Sequence, residues 1–157
     1  MTTKTEYIFM FTLEEKEILD QARNIIESRI KVVDAFTSPD LVKDYCSIQF
    51  AHLQREHFSL LLLDKQNRLI ECVTLFVGTL DQAAVYPREV VKECVLKNAG
   101  AVILTHNHPS GIAEPSNSDR VITRRLCDAL ALIDIPILDH IVVGMGEQVS
   151  FAERGWL

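Results

Sequence analysis

The spacing of apolar residues changes near residue 57, and this change constrains the fold more than any other feature of the chain. The segments HFSLLLL (57–63) and LIECVTLFV (69–77) are apolar at most positions and are separated by the polar turn DKQNR. Short apolar runs bounded by turn residues predict two paired β-strands. The second run has apolar side chains on both faces, so we expect it to be a central, buried strand.

Helical spacing dominates much of the remaining sequence. A capping box at Thr12 and Glu15 opens a first helix, and Ser38-Pro39-Asp40 is a helix-start signal for a second. The predicted helices cover about 13–30, Ser38 to about His52, Pro87 to the NAG stop at 98–100, and the region of Val121 to just before Pro136. Further strands are predicted at AVILT, ILDHIVVG and QVSFAE. This alternation favours an α/β or α+β fold with a mixed β-sheet flanked by helices.

The length and composition indicate one main domain. The chain has 157 residues, of which 48% are hydrophobic and 24% charged, a balance typical of soluble globular proteins. We interpret residues 1–34 as an N-terminal helical extension and 35–157 as the main domain. The four cysteines are scattered without a C-x-x-C pair, so they are interpreted as small core residues.

The charge and hydropathy of the chain indicate which partners and which cellular compartment to expect for the protein. The formal net charge is −6, which opposes non-specific binding to nucleic acid because that binding depends on clustered cations. The cluster Arg120, Arg124 and Arg125 has helical spacing and is interpreted as a solvated helix face. No apolar run is long enough to cross a bilayer, and the N-terminus lacks a leader-like apolar core. We therefore expect no membrane association and a cytoplasmic protein.

The stretch HNHPSGIAEPSNSD (106–119) concentrates metal-ligand chemistry at the end of a predicted strand. Residues two apart on an extended backbone face the same side, so His106 and His108 can address one point. Gly111 permits a reversal of the chain, and Asp119 falls at the start of the next helix. Two imidazoles and one carboxylate leave a tetrahedral position for water, the arrangement of a catalytic zinc site.

Less specific interpretations compete with the metal site. Ser116, Ser118 and Asp119 would all serve as helix caps in a polar loop that binds nothing. The letters HNH also name a class of nucleases, but the residues of that motif are dispersed over a longer unit. His140 follows Asp139 in a predicted strand and is equally interpretable as a core histidine or as a partner that orients a ligand.

The spacing His106-x-His108-x7-Ser116-x2-Asp119 resembles the JAMM motif of the JAB1/MPN metallohydrolases. The flanking segments VGTLDQAAVYPREVVKECVLKNAGAVILTHNHPSG and ILDHIVVG are similar to the RadC family, whose members are traditionally named DNA repair proteins. The similarity covers about 35–157 and resembles the short form found with prophages and mobile elements. It implies a JAB1/MPN-like, cytidine-deaminase-like architecture.

The resemblance also implies roles for individual residues. His106, His108 and Asp119 would bind Zn²⁺, and Ser116 would support the oxyanion of a tetrahedral intermediate. The motif's glutamate lies on an earlier strand, where Glu71 is the favoured general base because a carboxylate in an apolar strand is costly unless it is functional. The helical residues Glu89 and Glu93 are alternatives.

Three functions remain open from the sequence. The first is a zinc-dependent hydrolase, a metallopeptidase or isopeptidase that acts on a peptide or protein substrate through a metal-activated water. The second is a DNA-associated repair or nuclease-like role, which the family name suggests and the acidic charge disfavours. The third is a non-catalytic MPN-type interaction module, because similarity of fold does not establish activity.

Overall fold

The computed structural model describes residues 11–32, 38–78 and 85–157. Within them the chain forms four helices and five strands. In chain order these are α1 (Leu13–Val32), α2 (Pro39–Phe50), β1 (His57–Leu63), β2 (Leu69–Val77), α3 (Pro87–Leu96), β3 (Ala101–Asn107), α4 (Asn117–Ala131), β4 (Ile137–Val143) and β5 (Gln148–Ser150). The predicted α/β class with a mixed sheet is confirmed and is consistent with a JAB/MPN-like fold.

The five strands form a single sheet in the order β2-β1-β3-β4-β5. Strand β1 is antiparallel to both β2 and β3, whereas β3 and β4 are parallel. The prediction that the second apolar strand is central was wrong, because β2 lies at the edge of the sheet and Val77 is 51% exposed. The neighbouring strand β1 is the buried one, since six of its seven residues are buried. Both strands have apolar side chains on both faces, so the sequence pattern did not show which of the two is central and which lies at the edge.

Helices cover both faces of the sheet. One apolar cluster joins α2 to one face through residues such as Tyr45, Phe50 and Leu61. A second cluster joins α3 and α4 to the opposite face through residues such as Val90 and Leu126. Because side chains alternate across a strand, successive residues of β3 enter the two clusters in turn. His106 therefore lies on the α3/α4 face.

The helix-start signals correspond to the observed helix ends. Thr12 and Glu15 form the predicted reciprocal capping bonds of 2.7 and 3.2 Å. Pro39 is the first residue of α2, although the Ser38 side chain makes no capping bond. The fifth strand is shorter than QVSFAE and spans Gln148–Ser150.

The first helix packs on the rest of the protein through α2. Ile26 contacts the apolar cluster beneath α2, and the Tyr45 hydroxyl lies 3.1 Å from the Glu27 carboxylate. The boundary between an extension at 1–34 and a domain at 35–157 stays a prediction, because residues 33–37 lie outside the described part of the chain. None of the helices in the described ranges has the length and apolar character needed to span a bilayer.

Candidate metal centre

The sheet register brings two distant segments to one edge. His106 is near the C-terminal end of β3, and its antiparallel partner is Phe58, near the start of β1. Antiparallel pairing places the beginning of one strand beside the end of the other. Glu56, which immediately precedes β1, is thereby brought beside the histidine segment.

Four side chains converge at this edge. Glu56, His106, His108 and Asp119 each offer one ligand atom, and these atoms all lie within 4.8 Å of one another. The Nε2 atoms of His106 and His108 are 3.0 Å apart. Asp119 lies 3.3 Å from His106 Nε2 through Oδ1 and 3.2 Å from His108 Nε2 through Oδ2. The structure thus brings together all three residues predicted as metal ligands and adds a glutamate.

The loop after β3 orients His108. Its backbone N–H donates to the Val143 carbonyl at 2.8 Å, which continues the pairing of β3 with β4. Gly111 then adopts a φ of 87°, a conformation that glycine reaches without strain. The reversal returns the Ile112 carbonyl to 2.8 Å from His108 Nδ1. Since a carbonyl only accepts, Nδ1 carries a proton, and Nε2 is the ring nitrogen that faces the cluster.

Ser116 and Asp119 form a capping box at the start of α4. The Asp119 backbone N–H donates to Ser116 Oγ at 3.1 Å, and the Ser116 N–H donates to Asp119 Oδ2 at 2.8 Å. The capping interpretation of these residues and the metal interpretation of Asp119 are therefore compatible. The Ser116 oxygen accepts in this contact, so its O–H proton is still available to a further acceptor.

A buried chain of polar contacts supports His106 from behind. His106 Nδ1 lies 2.7 Å from His140 Nε2, and His140 Nδ1 lies 2.6 Å from the Thr123 hydroxyl. That hydroxyl donates to the backbone carbonyl of Asp119 at 2.6 Å. His140 is fully buried, and of its two interpretations the structure favours the orienting partner.

Asn107 holds the segment that carries Glu56. Its side chain points to the opposite face of β3 from His106, is 1% exposed, and donates through Nδ2 to the Arg55 carbonyl at 2.9 Å. Its Oδ1 accepts from the His57 N–H at 2.8 Å. The residues on both sides of Glu56 are therefore bonded to one buried amide.

The pKa shifts reflect the closeness of these groups. The hydrogen bond with Asp119 raises the pKa of His108 above its ordinary value. Burial opposes ionisation of Asp119, but bonds with His106 and His108 outweigh burial and hold its pKa far below the usual range. Burial lowers the pKa of His140 well below that of a free histidine, and the neighbouring His106 adds to this effect.

The donor set is suited to a divalent metal ion. Imidazole nitrogens and carboxylate oxygens are common ligands of zinc and of other first-row divalent metals. Lone pairs held this close repel one another unless a cation or protons lie between them. These four residues therefore fit the divalent metal ion that the motif implies.

Glu71 is not brought to this cluster. It lies opposite Leu62 in β1, four residues from Phe58, the partner of His106. Four residues of strand correspond to about 13 Å at about 3.3 Å per residue. The Glu71 carboxylate instead forms an exposed ion pair with Lys97 at 2.8 Å. The assignment of Glu71 as the base is therefore corrected on geometric grounds.

Glu89 and Glu93, the two helical alternatives, are also outside the group of converging ligands. Glu89 lies in the first turn of α3, and its carboxylate is 3.6 Å from Arg88. Glu56 is the glutamate that lies in this group. The sequence does show that Glu56 is the acidic residue directly before an apolar strand. Only the pairing of β1 with β3 shows which end of β3 this residue approaches.

A cleft of about 420 Å³ opens beside the cluster. The polar residues that line it include Glu56 and Asp119, and the apolar ones include Phe58, Val85 and Ile122. Arg125 also lines the cleft. The cleft therefore combines two carboxylates of the cluster with apolar surface and one cationic side chain.

The whole-chain comparisons point to one family. A model of the RadC-like JAB domain matches residues 36–156. A UPF0758 protein of Cellvibrio japonicus is 59% identical over 140 residues, which are 89% of this chain and 62% of that relative. A UPF0758 protein of Vibrio parahaemolyticus is 57% identical over 140 residues, which are again 89% of this chain and 62% of the relative. The chain thus spans somewhat under two thirds of the length of these two relatives. A UPF0758 protein of Vibrio cholerae is 54% identical over 158 residues, which are 100% of this chain and 100% of that relative.

Proposed function

This chain belongs to the RadC-like JAB domain family, and on that premise we propose that it is a JAMM-type zinc hydrolase acting on an amide bond of a peptide or protein. The observation that carries the proposal is the convergence of Glu56, His106, His108 and Asp119 within 4.8 Å. Three of these residues have the spacing of the JAMM motif, and the fourth supplies the glutamate that the motif requires.

Three residues would hold the metal. His106 and His108 would ligate through Nε2, and Asp119 through a carboxylate oxygen, because these are the atoms that face one another. Zn²⁺ in such a site lowers the pKa of a bound water to about 7 and polarises a carbonyl. Three protein ligands are the usual number in catalytic zinc sites, where a position is left for water.

Glu56 and Ser116 would carry the remaining roles. The Glu56 carboxylate would accept the proton of the attacking water and return it to the leaving nitrogen, as a general base and then a general acid. The Ser116 Oγ–H would donate to the oxyanion, because the capping bond uses the oxygen and not its proton. The Ser116 role is the one that the family resemblance implied, whereas Glu56 takes the place of Glu71.

The choice of an amide substrate rests on the cleft and the charge. The cleft beside the ligands is lined by apolar side chains such as Phe58, Val85 and Ile122, which suit the side chains of a peptide. The chain carries a formal net charge of −6, which disfavours a phosphate backbone as the ligand. A role on DNA would require steeply salt-dependent binding to DNA, which a filter-binding titration measures.

Two isosteric variants test the proposal. We expect wild-type protein loaded with zinc to cleave members of a quenched-fluorescent peptide library, and Glu56→Gln to lose about 10²- to 10⁴-fold in rate. Zinc content should stay at the wild-type level in Glu56→Gln. Glu71→Gln is the matched control, since it removes a carboxylate from the exposed ion pair with Lys97, and it should cleave at the wild-type rate.

The opposite results would overturn the assignment. Full activity of Glu56→Gln, or loss of activity in Glu71→Gln, would remove Glu56 as the base. A zinc-loaded wild-type protein that cleaves no peptide but binds a partner protein would favour the non-catalytic module.

A further inference from the structure

The cleft beside the metal centre continues along the exposed side of α4. A second cleft, of about 400 Å³, shares three lining residues with the first, namely Asn117, Val121 and Arg125. The other residues that line the second cleft are Arg120, Arg124 and Asp128. All six positions follow one another at spacings of three and four residues, so they form a single stripe along the helix. The proposed reaction uses none of them.

We propose that this stripe binds an acidic segment of the peptide or protein whose amide bond lies at the metal centre. We call the stripe the arginine groove, and it consists of Asn117, Arg120, Val121, Arg124, Arg125 and Asp128. The inference rests on the proposed function, because it places the acidic segment and the scissile bond in one substrate. It adds the chemical class of that substrate.

Cationic charge is concentrated in the arginine groove. The groove has three arginines and one carboxylate, whereas the whole chain has a formal net charge of −6. Among the residues that the structure describes, no ion pair engages the exposed side chains of Arg124 or Arg125. By contrast, Arg68 and Arg154 each pair with a carboxylate. Guanidinium groups without an ion-pair partner suit a carboxylate ligand, which they can bind with two parallel hydrogen bonds.

The third arginine, Arg120, is held in place by an aromatic ring. Its guanidinium carbon lies 4.2 Å from the centre of the Trp156 ring, which is a cation–π contact. Arg154 lies over the same ring at 4.9 Å and is itself fixed by two bonds of 2.7 Å to Glu114. Because Arg120 is positioned by a ring and not by a carboxylate, its charge is available to a ligand. Its prior ordering also reduces the side-chain entropy lost on binding.

The rise of α4 sets the distance between the scissile bond and the acidic segment. Asp119, a proposed metal ligand, precedes Arg124 and Arg125 by five and six residues. At about 1.5 Å per residue, these arginines lie about 7–9 Å further along the helix axis. An extended peptide advances about 3.3 Å per residue. The acidic side chains should therefore lie about two to four residues from the scissile amide.

The surface and charge of the groove favour a peptide over a nucleic acid. Val121 is 60% exposed and places apolar surface among the arginines, which suits a peptide side chain. A DNA duplex carries one phosphate charge about every 1.7 Å. Most of those charges would lie outside the groove, against a protein of net charge −6. A short acidic segment places its charges only beside the arginines.

The test measures peptide binding, so it does not depend on turnover. Two fluorescein-labelled peptides of equal length carry either a run of Glu or Gln at the same positions. Fluorescence anisotropy measures their binding to Glu56→Gln protein prepared with zinc, a background in which the proposed function expects bound peptide to stay intact. The same background then receives Arg124→Gln together with Arg125→Gln. The matched control is Arg68→Gln, because Arg68 lies between β1 and β2, at the far end of β1 from the partner of His106.

We expect the Glu peptide to bind about 10-fold more tightly than the Gln peptide, because several exposed ion pairs of modest strength add together. Replacing both arginines should reduce this ratio to within about twofold, whereas Arg68→Gln should retain it. The ratio should also fall between about 0.1 M and 1 M salt, because the screening length shortens from about 10 to 3 Å. If the double variant does not fold, each single arginine variant should show part of the loss, and the ratio without any arginine change tests the preference directly.

Several results would overturn the inference. These are equal affinity for the two peptides, an undiminished Glu preference after both arginines are replaced, and an equal loss of that preference in Arg68→Gln. A labelled DNA duplex that binds more tightly than the Glu peptide, and through the same arginines, would assign the groove to nucleic acid instead.

Failure of this inference and failure of the proposed function are distinguishable. A Glu preference that depends on Arg124 and Arg125, in a wild-type protein that cleaves no peptide, would contradict the hydrolase and support the arginine groove. Cleavage of peptides without any Glu preference in binding would contradict the arginine groove alone.

Discussion

Asn107 and His57 are joined by a hydrogen bond of 2.8 Å, in which the His57 backbone N–H donates to the Asn107 side-chain oxygen. The same amide donates to the Arg55 carbonyl at 2.9 Å. Glu56 lies between these two anchored residues. Asn107, the middle residue of the HNH segment, therefore connects β3, the strand that carries the ligand His106, with the segment that carries the proposed general base.

Replacing Asn107 by alanine should release Glu56 while leaving the ligands in place. We expect stability to fall by about 1–3 kcal/mol, because the His57 N–H and the Arg55 carbonyl lose their buried partner. Zinc affinity should stay within about threefold of wild type, and peptide cleavage should fall by at least about 10-fold because a displaced base reacts poorly. Chemical denaturation, chelator competition and cleavage assays measure the three quantities.

A second side-chain amide provides the control for Asn107. Gln148 donates to Ser47 on α2 at 3.0 Å and does not contact the Glu56 segment. Gln148→Ala should reduce stability without changing cleavage by the folded protein. Equal loss of cleavage in both variants would show that Asn107 acts through stability alone.

Zinc should stabilise the folded protein against heat. A ligand that binds only the native state at about 100 times its Kd adds about 2.7 kcal/mol, and each kcal/mol shifts the Tm of a domain of this size by about 2–4 °C. We expect an increase of about 5–11 °C in differential scanning calorimetry. His108→Ala should abolish the increase, whereas His57→Gln should retain it because His57 is outside the ligand cluster.

Gly144 should be needed for the loop that orients His108. A Cβ at this position would overlap the Gly111 carbonyl oxygen and lie 2.8 Å from Ala113 N. Gly144→Ala should therefore displace the loop, reduce stability by about 1–3 kcal/mol and weaken zinc binding by about 10-fold.

Gly100 provides a matched control for the loss of zinc affinity, because it is equally crowded but lies against the turn between β1 and β2. A Cβ at Gly100 would lie 2.8 Å from Lys65 Cγ and 2.9 Å from Lys65 N. Gly100→Ala should reduce stability and leave zinc affinity unchanged. Wild-type zinc affinity in Gly144→Ala would contradict the role given to this loop.

Two cysteine thiols, the half-buried Cys72 and the buried Cys94, should react slowly in the native protein. Burial raises the pKa of both Cys72 and Cys94 to about 11, and only the thiolate is nucleophilic. At pH near 8 we expect iodoacetamide to modify these residues about 100-fold more slowly in the folded than in the unfolded protein. The rate should rise as pH approaches 11, and peptide mapping by mass spectrometry measures it. Equal rates in the folded and unfolded protein would contradict the burial of these thiols.

The sequence predicted the parts of the site that lie close together along the chain. His106, His108 and Asp119 fall within one segment, and local rules for strands, turns and helix caps suffice to bring them together. Glu56 is 50 residues before His106, so its approach depends on the antiparallel register of β1 and β3. The resemblance placed the motif's glutamate on an earlier strand but gave no register, and the cost of a carboxylate in an apolar strand then favoured Glu71, which lies far from His106 along the sheet.

The order of the strands was unpredictable for a related reason. Both β1 and β2 are apolar, and local pattern does not say which of them acquires a second neighbour. The third strand pairs with β1, which buries β1 and leaves β2 at the edge. His140 was left open between two interpretations because its role depends on the 2.7 Å contact with His106 across the parallel pair of β3 and β4.

A crystal of the zinc-loaded protein measured on both sides of the zinc absorption edge tests the central claim most directly. We predict one strong anomalous peak within about 2.0–2.2 Å of His106 Nε2, His108 Nε2 and an Asp119 carboxylate oxygen. A peak held by other residues, or no peak in protein that contains stoichiometric zinc, would contradict the account.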